Sequence, residues 1–156
     1  MPSTTSRPSG RRRARELAMQ GLYQLRLARS PAADVRRQLV ESSAYAKADE
    51  DYFDELWRGV AERAGEVVER LAPVLDRAPA ELSPIEWAIL AIGAWELEAR
   101  PEIPYRVVIN EAVELAKAYG GTDGHKFVNG VLDRYAATVR AAEIAALRRE
   151  RGAGAV

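Results

Sequence analysis

Residues 83–97, SPIEWAILAIGAWEL, predict a helix that is apolar nearly all round. Ser83 can cap this helix, and Pro84 follows at a first-turn position where its missing N–H does no harm. Glu86 completes a capping box with Ser83. A helix without a polar face is usually buried on most sides at the centre of a bundle. This segment therefore predicts a helical fold organised around 83–97.

Helical periodicity continues on both sides of this segment. Apolar residues recur three and four positions apart over 11–29, 33–45, 49–71, 104–119 and 123–139. No stretch alternates with the two-residue period of a strand. We therefore predict an all-α protein of about seven helices joined by short loops. The expected organisation is a flexible tail at 1–9, a single helical domain at 10–140, and a helix end with a frayed tail at 141–156.

Charge is distributed unevenly although the chain holds 23 basic and 23 acidic residues. Residues 1–40 contain nine arginines and two acids, whereas residues 49–98 contain thirteen acids and four arginines. A basic surface of this kind attracts polyanions, and an acidic region repels them.

Composition argues against several classes of function. With no cysteine and one histidine, His125, a thiolate zinc site or a catalytic dyad is not expected. We predict no catalytic residue, metal or cofactor. The polar N-terminus lacks the apolar core of a signal peptide, and no apolar run is long enough for a membrane span. A cytoplasmic location without membrane association is expected.

Four arginines, Arg11, Arg12, Arg13 and Arg15, lie within five residues at the start of the first helix. Guanidinium groups bind phosphate with two parallel hydrogen bonds. Cations at a helix N-terminus oppose the helix dipole, so this placement costs stability and favours a functional purpose. None of the four is expected on the apolar side of the helix. The alternative is a solvated, solubilising helix end.

A glycine-rich turn at 120–126, GGTDGHK, leads into Phe127 and Asn129. Such a turn presents free N–H groups to an anion, and a phenylalanine can stack on an unpaired base. The spacing does not match a Walker A loop, which requires Gly-Lys-Ser/Thr. The alternative is a helix junction in which Asp123 caps the next helix and Phe127 belongs to the core. These residues alone leave the two interpretations balanced.

Three stretches together resemble the NusB family of transcription antitermination factors. They are RRRARELAMQGLYQ (11–24), SPIEWAILAIGAWEL (83–97) and IPYRVVINEAVELAKAYGGTDGHKFVNGVLD (103–133). The third is the most specific of them. The resemblance covers about residues 10 to 135 and implies two packed helical bundles.

The resemblance also implies a function. It implies binding of single-stranded boxA RNA from ribosomal operon leaders, with the ribosomal protein NusE as partner, within a transcription elongation complex. The matching RNA-binding positions are Arg11, Arg12, Arg13, Arg15, Asp123, His125, Lys126, Phe127 and Asn129. Tyr23 and Glu86 match positions near the protein partner. Some family members self-associate, so a homodimer is possible.

A competing class of function is a helical protein-interaction module whose arginine-rich helix docks an acidic protein. Competition between unlabelled RNA and that protein separates the two classes. An enzyme acting on nucleotides would need turnover dependent on Lys126, for which the sequence supplies no metal ligands or base. Membrane-surface binding by the first helix is disfavoured, because its apolar side lacks tryptophan and phenylalanine.

Overall fold

The computed structural model describes residues 8–154. Residues 1–7, which hold most of the expected flexible tail, lie outside the described residues, as do residues 155 and 156. The described chain forms eight α-helices: α1 (Pro8–Ala28), α2 (Ala32–Glu41), α3 (Glu50–Val60), α4 (Ala64–Glu69), α5 (Pro84–Ala99), α6 (Tyr105–Tyr119), α7 (Gly124–Val139) and α8 (Ala141–Gly154). Short 3-10 helices lie at Tyr45–Lys47, Ala72–Val74 and Pro79–Glu81. No strand occurs between residues 8 and 154, and the all-α prediction is confirmed.

Helix α5 lies at the centre of the molecule, as its sequence predicted. The Ser83 hydroxyl accepts a hydrogen bond from the Glu86 backbone N–H at 3.1 Å. The Glu86 carboxylate in turn accepts a hydrogen bond from the Ser83 backbone N–H at 3.4 Å. Ten of the sixteen residues of α5 are buried. The helix packs against α1, α3, α4, α6 and α7. Its lack of a polar face is therefore explained by neighbours on nearly every side.

The helices form two groups, as the family resemblance implied. Helices α1, α2 and α3 pack together, and α4, α6 and α7 pack around α5. The contact between α1 and α5 joins the groups. Within the first group, Gly21 brings α1 close to α2 and α3, because a Cβ at this position would overlap the Trp57 ring and lie 2.7 Å from Leu39.

Helix ends differ from the prediction at three places. Helix α1 begins at Pro8, inside the expected tail. Helix α2 ends at Glu41, where the Ser42 hydroxyl donates to the Leu39 carbonyl oxygen, and a separate 3-10 turn covers Tyr45–Lys47. A serine that hydrogen-bonds backbone competes with helix continuation. The eighth helix, α8, extends to Gly154 where a frayed tail was expected.

Helix α8 is attached to the ends of two other helices. Arg140, a buried residue just before α8, donates to the carbonyl oxygens of Leu97 at 2.7 Å and Arg100 at 2.9 Å. These carbonyls lie at the C-terminal end of α5, where a cation is favourable. Glu143 accepts from the Tyr105 N–H at 3.0 Å, at the N-terminus of α6. The two side chains therefore satisfy unpaired backbone groups at the α5–α6 junction.

Candidate nucleic-acid interface

The arginine-rich start of α1 divides into exposed and buried side chains. Arg13 is exposed and forms no ion pair with any described residue. Arg12 is 50% exposed and pairs with Glu111. Arg11 is partly exposed, with its guanidinium 4.5 Å from the centre of the Tyr52 ring. Its Nε is buried and has no hydrogen-bond partner among the described residues.

Arg15 lies on the buried side of α1, and the expectation that none of the four arginines would do so is wrong for this residue. Only 4% of Arg15 is exposed, and its Nη2 lies 2.9 Å from a Glu96 oxygen. Burial lowers the pKa of Arg15. The charge of Glu96 and its hydrogen bonds raise that pKa by more than burial lowers it, so the pKa of Arg15 lies above its ordinary value. Arg15 is a structural cation and is not available to an incoming phosphate.

Glu96 is the acidic partner of this buried pair. It is 1% exposed on α5 and accepts hydrogen bonds from both Arg15 and the Tyr52 hydroxyl. Burial first, and then the Glu96 charge and hydrogen bond, raise the pKa of the Tyr52 phenol. A buried carboxylate needs such partners, because an unpaired one would be strongly destabilising. Glu96 thus ties α1, α3 and α5 together beneath the arginines.

Glu111 on α6 connects the buried pair to the surface. Its carboxylate accepts from Arg12 Nε at 3.0 Å and from Arg12 Nη2 at 2.8 Å, a two-bond geometry like that of an arginine–phosphate pair. Its Oε1 also lies 3.5 Å from Arg15 Nη1. Hydrogen bonding and the charge of Glu111 raise the pKa of Arg12. Arg12 is therefore already held by an internal anion.

The turn before α7 lacks the aspartate cap of the helix-junction interpretation. Asp123 has a left-handed backbone, with φ of 63°, and its side chain makes no capping hydrogen bond. The Asp123 side chain therefore does not cap α7, contrary to the helix-junction interpretation, and the aspartate supplies a backbone conformation that few other residues tolerate. Its exposed carboxylate lies 3.3 Å from Lys126 Nζ.

The other residues of this segment differ in exposure. Lys126 and Asn129 are exposed, whereas His125 and Phe127 are partly buried. The Arg77 guanidinium lies 4.2 Å from the centre of the Phe127 ring and covers part of its surface. A base that stacks on Phe127 would therefore have to share the ring with Arg77 or displace it.

Tyr23 and Glu86, the positions assigned to a protein partner, lie on α1 and α5. Tyr23 is exposed, as is Leu27 one turn later on the same side of α1. Glu86 is partly buried, and one of its oxygens would lie 3.8 Å from a Cβ at Gly124. The start of α7 therefore lies beside the start of α5.

The arginines and the start of α7 lie at opposite ends of α5. Arg15 meets Glu96 near the C-terminal end of α5, whereas Gly124 approaches Glu86 at its N-terminal end. Ten residues of helix separate Glu86 from Glu96, a distance of about 15 Å. The predicted RNA-binding residues thus form two separate regions and do not converge on one point.

Sequence reasoning missed Glu96, Glu111, Tyr52 and Arg77. A glutamate within an otherwise apolar helix is a signal that could have identified Glu96, because a buried carboxylate requires a cation. Nothing in the pattern could have identified Glu111, whose partners are 96 and 99 residues away in sequence.

Within residues 8–154, no group of three or more His, Cys, Asp or Glu side chains is arranged to hold a metal ion. The same part of the chain contains no helix with the length and hydrophobicity needed to cross a bilayer.

The sequence is similar over most of its length to proteins of one family. The model of the NusB family matches residues 12–137. Transcription antitermination protein NusB of Nitrosospira multiformis is 58% identical over 132 residues, covering 85% of this chain and 84% of that protein. The protein of the same name from Ralstonia nicotianae is 54% identical over 140 residues, covering 90% of each chain.

Solved structures have the same fold. T. maritima NusB superposes with a TM-score of 0.72 at 27% identity, covering 81% of this chain and 90% of that one. A chain from the crystal structure of a plectonemic RNA supercoil superposes with a TM-score of 0.66, covering 85% of this chain and 95% of that one. Its identity of 24% makes this second likeness one of fold alone.

The described residues form an all-helical protein with exposed arginines near the start of its first helix. The family match and the identities above show that the chain belongs to the NusB family.

Proposed function

We propose that this protein acts in transcription antitermination by binding single-stranded boxA RNA of ribosomal RNA operon leaders, together with the ribosomal protein NusE. Its relatives are named for antitermination. The observation that carries the RNA part is the exposed Arg13, which has no ion-pair partner among the described residues, beside the half-exposed Arg12 near the start of α1. Exposed guanidinium groups can bind phosphate through two parallel hydrogen bonds. Because α1 begins at Pro8, Arg12 and Arg13 lie in its second turn, where the helix dipole no longer opposes a cation.

In this proposal the arginines of α1 that remain at least partly exposed bind phosphates, and the start of α7 contacts bases. Arg11, Arg12 and Arg13 take the phosphate role, and Arg15 does not because it is buried. The base-contacting residues are Asp123, His125, Lys126, Phe127 and Asn129. Phosphate contacts alone give weak binding without sequence preference, so the second region supplies specificity.

A protein partner completes the affinity in this proposal. Tyr23 and Leu27 offer an exposed aromatic and aliphatic pair on α1, which is the kind of anchor that protein interfaces use. Glu86 lies at the start of the neighbouring helix α5. NusE bound there would recruit the RNA complex to the transcription elongation complex in the cytoplasm. The protein itself acts without catalysing a reaction.

The test measures binding of a short boxA RNA and of a scrambled RNA of equal length, with and without NusE. We expect a preference for boxA that increases with NusE. Three arginines that each neutralise one phosphate on a single strand give a slope of log affinity against log salt near −2. Arg13→Ala should reduce this slope by about 0.7. Arg63→Ala is the matched control, since Arg63 is exposed and forms no ion pair among the described residues.

Two results would contradict the proposal. Equal, salt-insensitive binding of both RNAs would remove the electrostatic role of the arginines. Binding of an acidic protein that RNA does not displace, and that Arg13→Ala abolishes, would favour the protein-interaction module.

A further inference from the structure

A small polar pocket lies between α6 and α7. It has a volume of about 190 Å³ and is lined by Tyr105, Arg106, Ile109, Asn110, Asn129 and Asp133. Asn129 belongs to the predicted base-contacting segment, whereas Asn110 had no predicted role. Asn110 directly precedes Glu111, the residue that holds Arg12, so the pocket lies on the helix that borders the arginines.

Four polar side chains line this pocket. Among the described residues, neither Asn110 nor Asn129 makes a side-chain hydrogen bond, and neither Arg106 nor Asp133 forms an ion pair. All four are exposed. Two amides, a guanidinium and a carboxylate therefore converge on one concavity with their hydrogen-bonding capacity free, which is the pattern of a ligand site.

The chemistry of the pocket favours a base over a phosphate. The Asp133 carboxylate repels a phosphate but can accept a hydrogen bond from an exocyclic amine. An asparagine amide offers one donor and one acceptor side by side, which matches the amine and ring nitrogen of adenine. The Arg106 guanidinium lies 5.3 Å from the centre of the Tyr105 ring, so a planar cation is held at the pocket edge.

The size of the pocket limits its occupant. Its volume is below the roughly 300–1,000 Å³ of pockets that enclose a whole drug-sized ligand. One planar heterocycle is therefore the appropriate occupant, with the attached sugar and phosphate outside.

We propose that this pocket binds a single unpaired adenine of the RNA strand whose phosphates lie on Arg12 and Arg13. Asn110 and Asn129 contact the hydrogen-bonding edge of the base, and Asp133 accepts from its amine. The proposal rests on the proposed RNA-binding function and adds to it a residue-level source of base preference. A strand extruding one base here keeps its backbone exposed to the arginines.

The experiment uses the full-length protein and a set of 12-nucleotide RNAs. The reference is oligouridine, and each further RNA carries one adenine at a different position. Fluorescence polarisation at fixed low salt gives the affinities. We expect at least one position at which adenine tightens binding about fivefold or more, the value of one good two-bond contact. Replacing that adenine with N6,N6-dimethyladenine, which lacks the amine donor, should abolish the gain.

Variants separate the pocket from the phosphate contacts. Asn110→Ala should remove the adenine gain while leaving oligouridine binding unchanged within twofold. Asn129→Ala should remove the adenine gain as well. Gln38→Ala, an exposed amide on α2, is the matched control and should retain the gain. Both asparagines are exposed within helices, so alanine should preserve the melting temperature.

Opposite results would overturn the proposal in distinguishable ways. An adenine gain that survives Asn110→Ala and Asn129→Ala, or no gain at any position, would eliminate the pocket while leaving RNA binding intact. A protein that binds none of these RNAs in an Arg12- and Arg13-dependent manner would refute the proposed function itself.

Discussion

The contact between Glu111 and Arg12 leads to a prediction about RNA affinity. Glu111 occupies Arg12 with the geometry a phosphate would use, and Arg12 is half exposed while Glu111 is 16% exposed. RNA must therefore either displace this carboxylate or bind beside it. We expect Glu111→Gln, which keeps the side-chain shape and removes the charge, to tighten RNA binding.

The size of the effect follows from Coulomb's law. A phosphate on Arg12 would lie roughly 6 Å from the Glu111 carboxylate, and two like charges at that separation repel by about 0.7 kcal/mol in water and about four times that at the effective dielectric constant of a protein surface. Because Arg12 is half exposed, the value in water is the closer one, and loss of this repulsion should tighten binding at least about threefold at low salt. Because salt screens charges over about 8–10 Å, the gain should shrink at higher ionic strength.

Fluorescence polarisation with boxA RNA at about 50 and 200 mM salt measures this change. Glu62→Gln is the control, since Glu62 is exposed and forms no ion pair within the described chain. The free energy of unfolding should fall by less than about 1 kcal/mol for Glu111→Gln, because Arg12 is half exposed and the buried Arg15 keeps its pair with Glu96. Weaker RNA binding, to the same degree as in Arg12→Ala, would refute the argument. It would mean that Glu111 orients Arg12 for RNA and does not compete with it.

Three further predictions concern stability. Arg15→Ala leaves a buried carboxylate without its cation and should lower the free energy of unfolding by about 3–5 kcal/mol in urea denaturation; a loss below about 1 kcal/mol would contradict the buried pair. Gly21→Ala should lower the free energy of unfolding by about 1–3 kcal/mol, because the added methyl group overpacks the core. Gly65→Ala places its methyl group in open space and should leave the free energy of unfolding unchanged or raise it. Equal melting temperatures of the two variants would contradict this prediction. Burial and the Glu98 hydrogen bond raise the pKa of Tyr135 to about 12, and the pKa of Tyr52 is raised as well. The stability these tyrosines contribute is complete below pH 10, their unfolded pKa, and is lost as pH rises through the folded values. Urea titrations at pH 9 and 11.5 should show this loss, and phenylalanine at both positions should reduce it; an unchanged pH dependence in the double variant would assign the loss to other groups.

Several features of the fold could be predicted from the sequence because they depend on neighbouring residues. The capping residues Ser83 and Glu86 lie within one turn of each other, and the apolar composition of α5 requires burial wherever the helix packs. The end of α2, where Ser42 bonds to the Leu39 carbonyl, and the helical course of 141–154, attached through Arg140 and Glu143, were not predicted.

The candidate site was predictable in composition but not in geometry. Consecutive arginines at the start of α1 indicated an anion-binding helix, yet their spacing did not show which of them would turn inward. Arg15 is buried because Glu96, 81 residues away, lies opposite it. Similarly, the chemistry of Asp123 suited a cap, and only the left-handed backbone showed that it serves the turn instead.

The sequence by itself determined the helical class, the central position of α5 and the basic character of the start of α1. Periodicity and capping are properties of residues three or four positions apart, so they are present in the chain before it folds. The tertiary structure alone decided that Glu111 pairs with Arg12 and that Glu96 pairs with the buried Arg15. It also decided that Asn110 and Asn129 line the same pocket. These arrangements join residues distant in the chain, and their physical origin is the packing of α1, α5, α6 and α7 against one another.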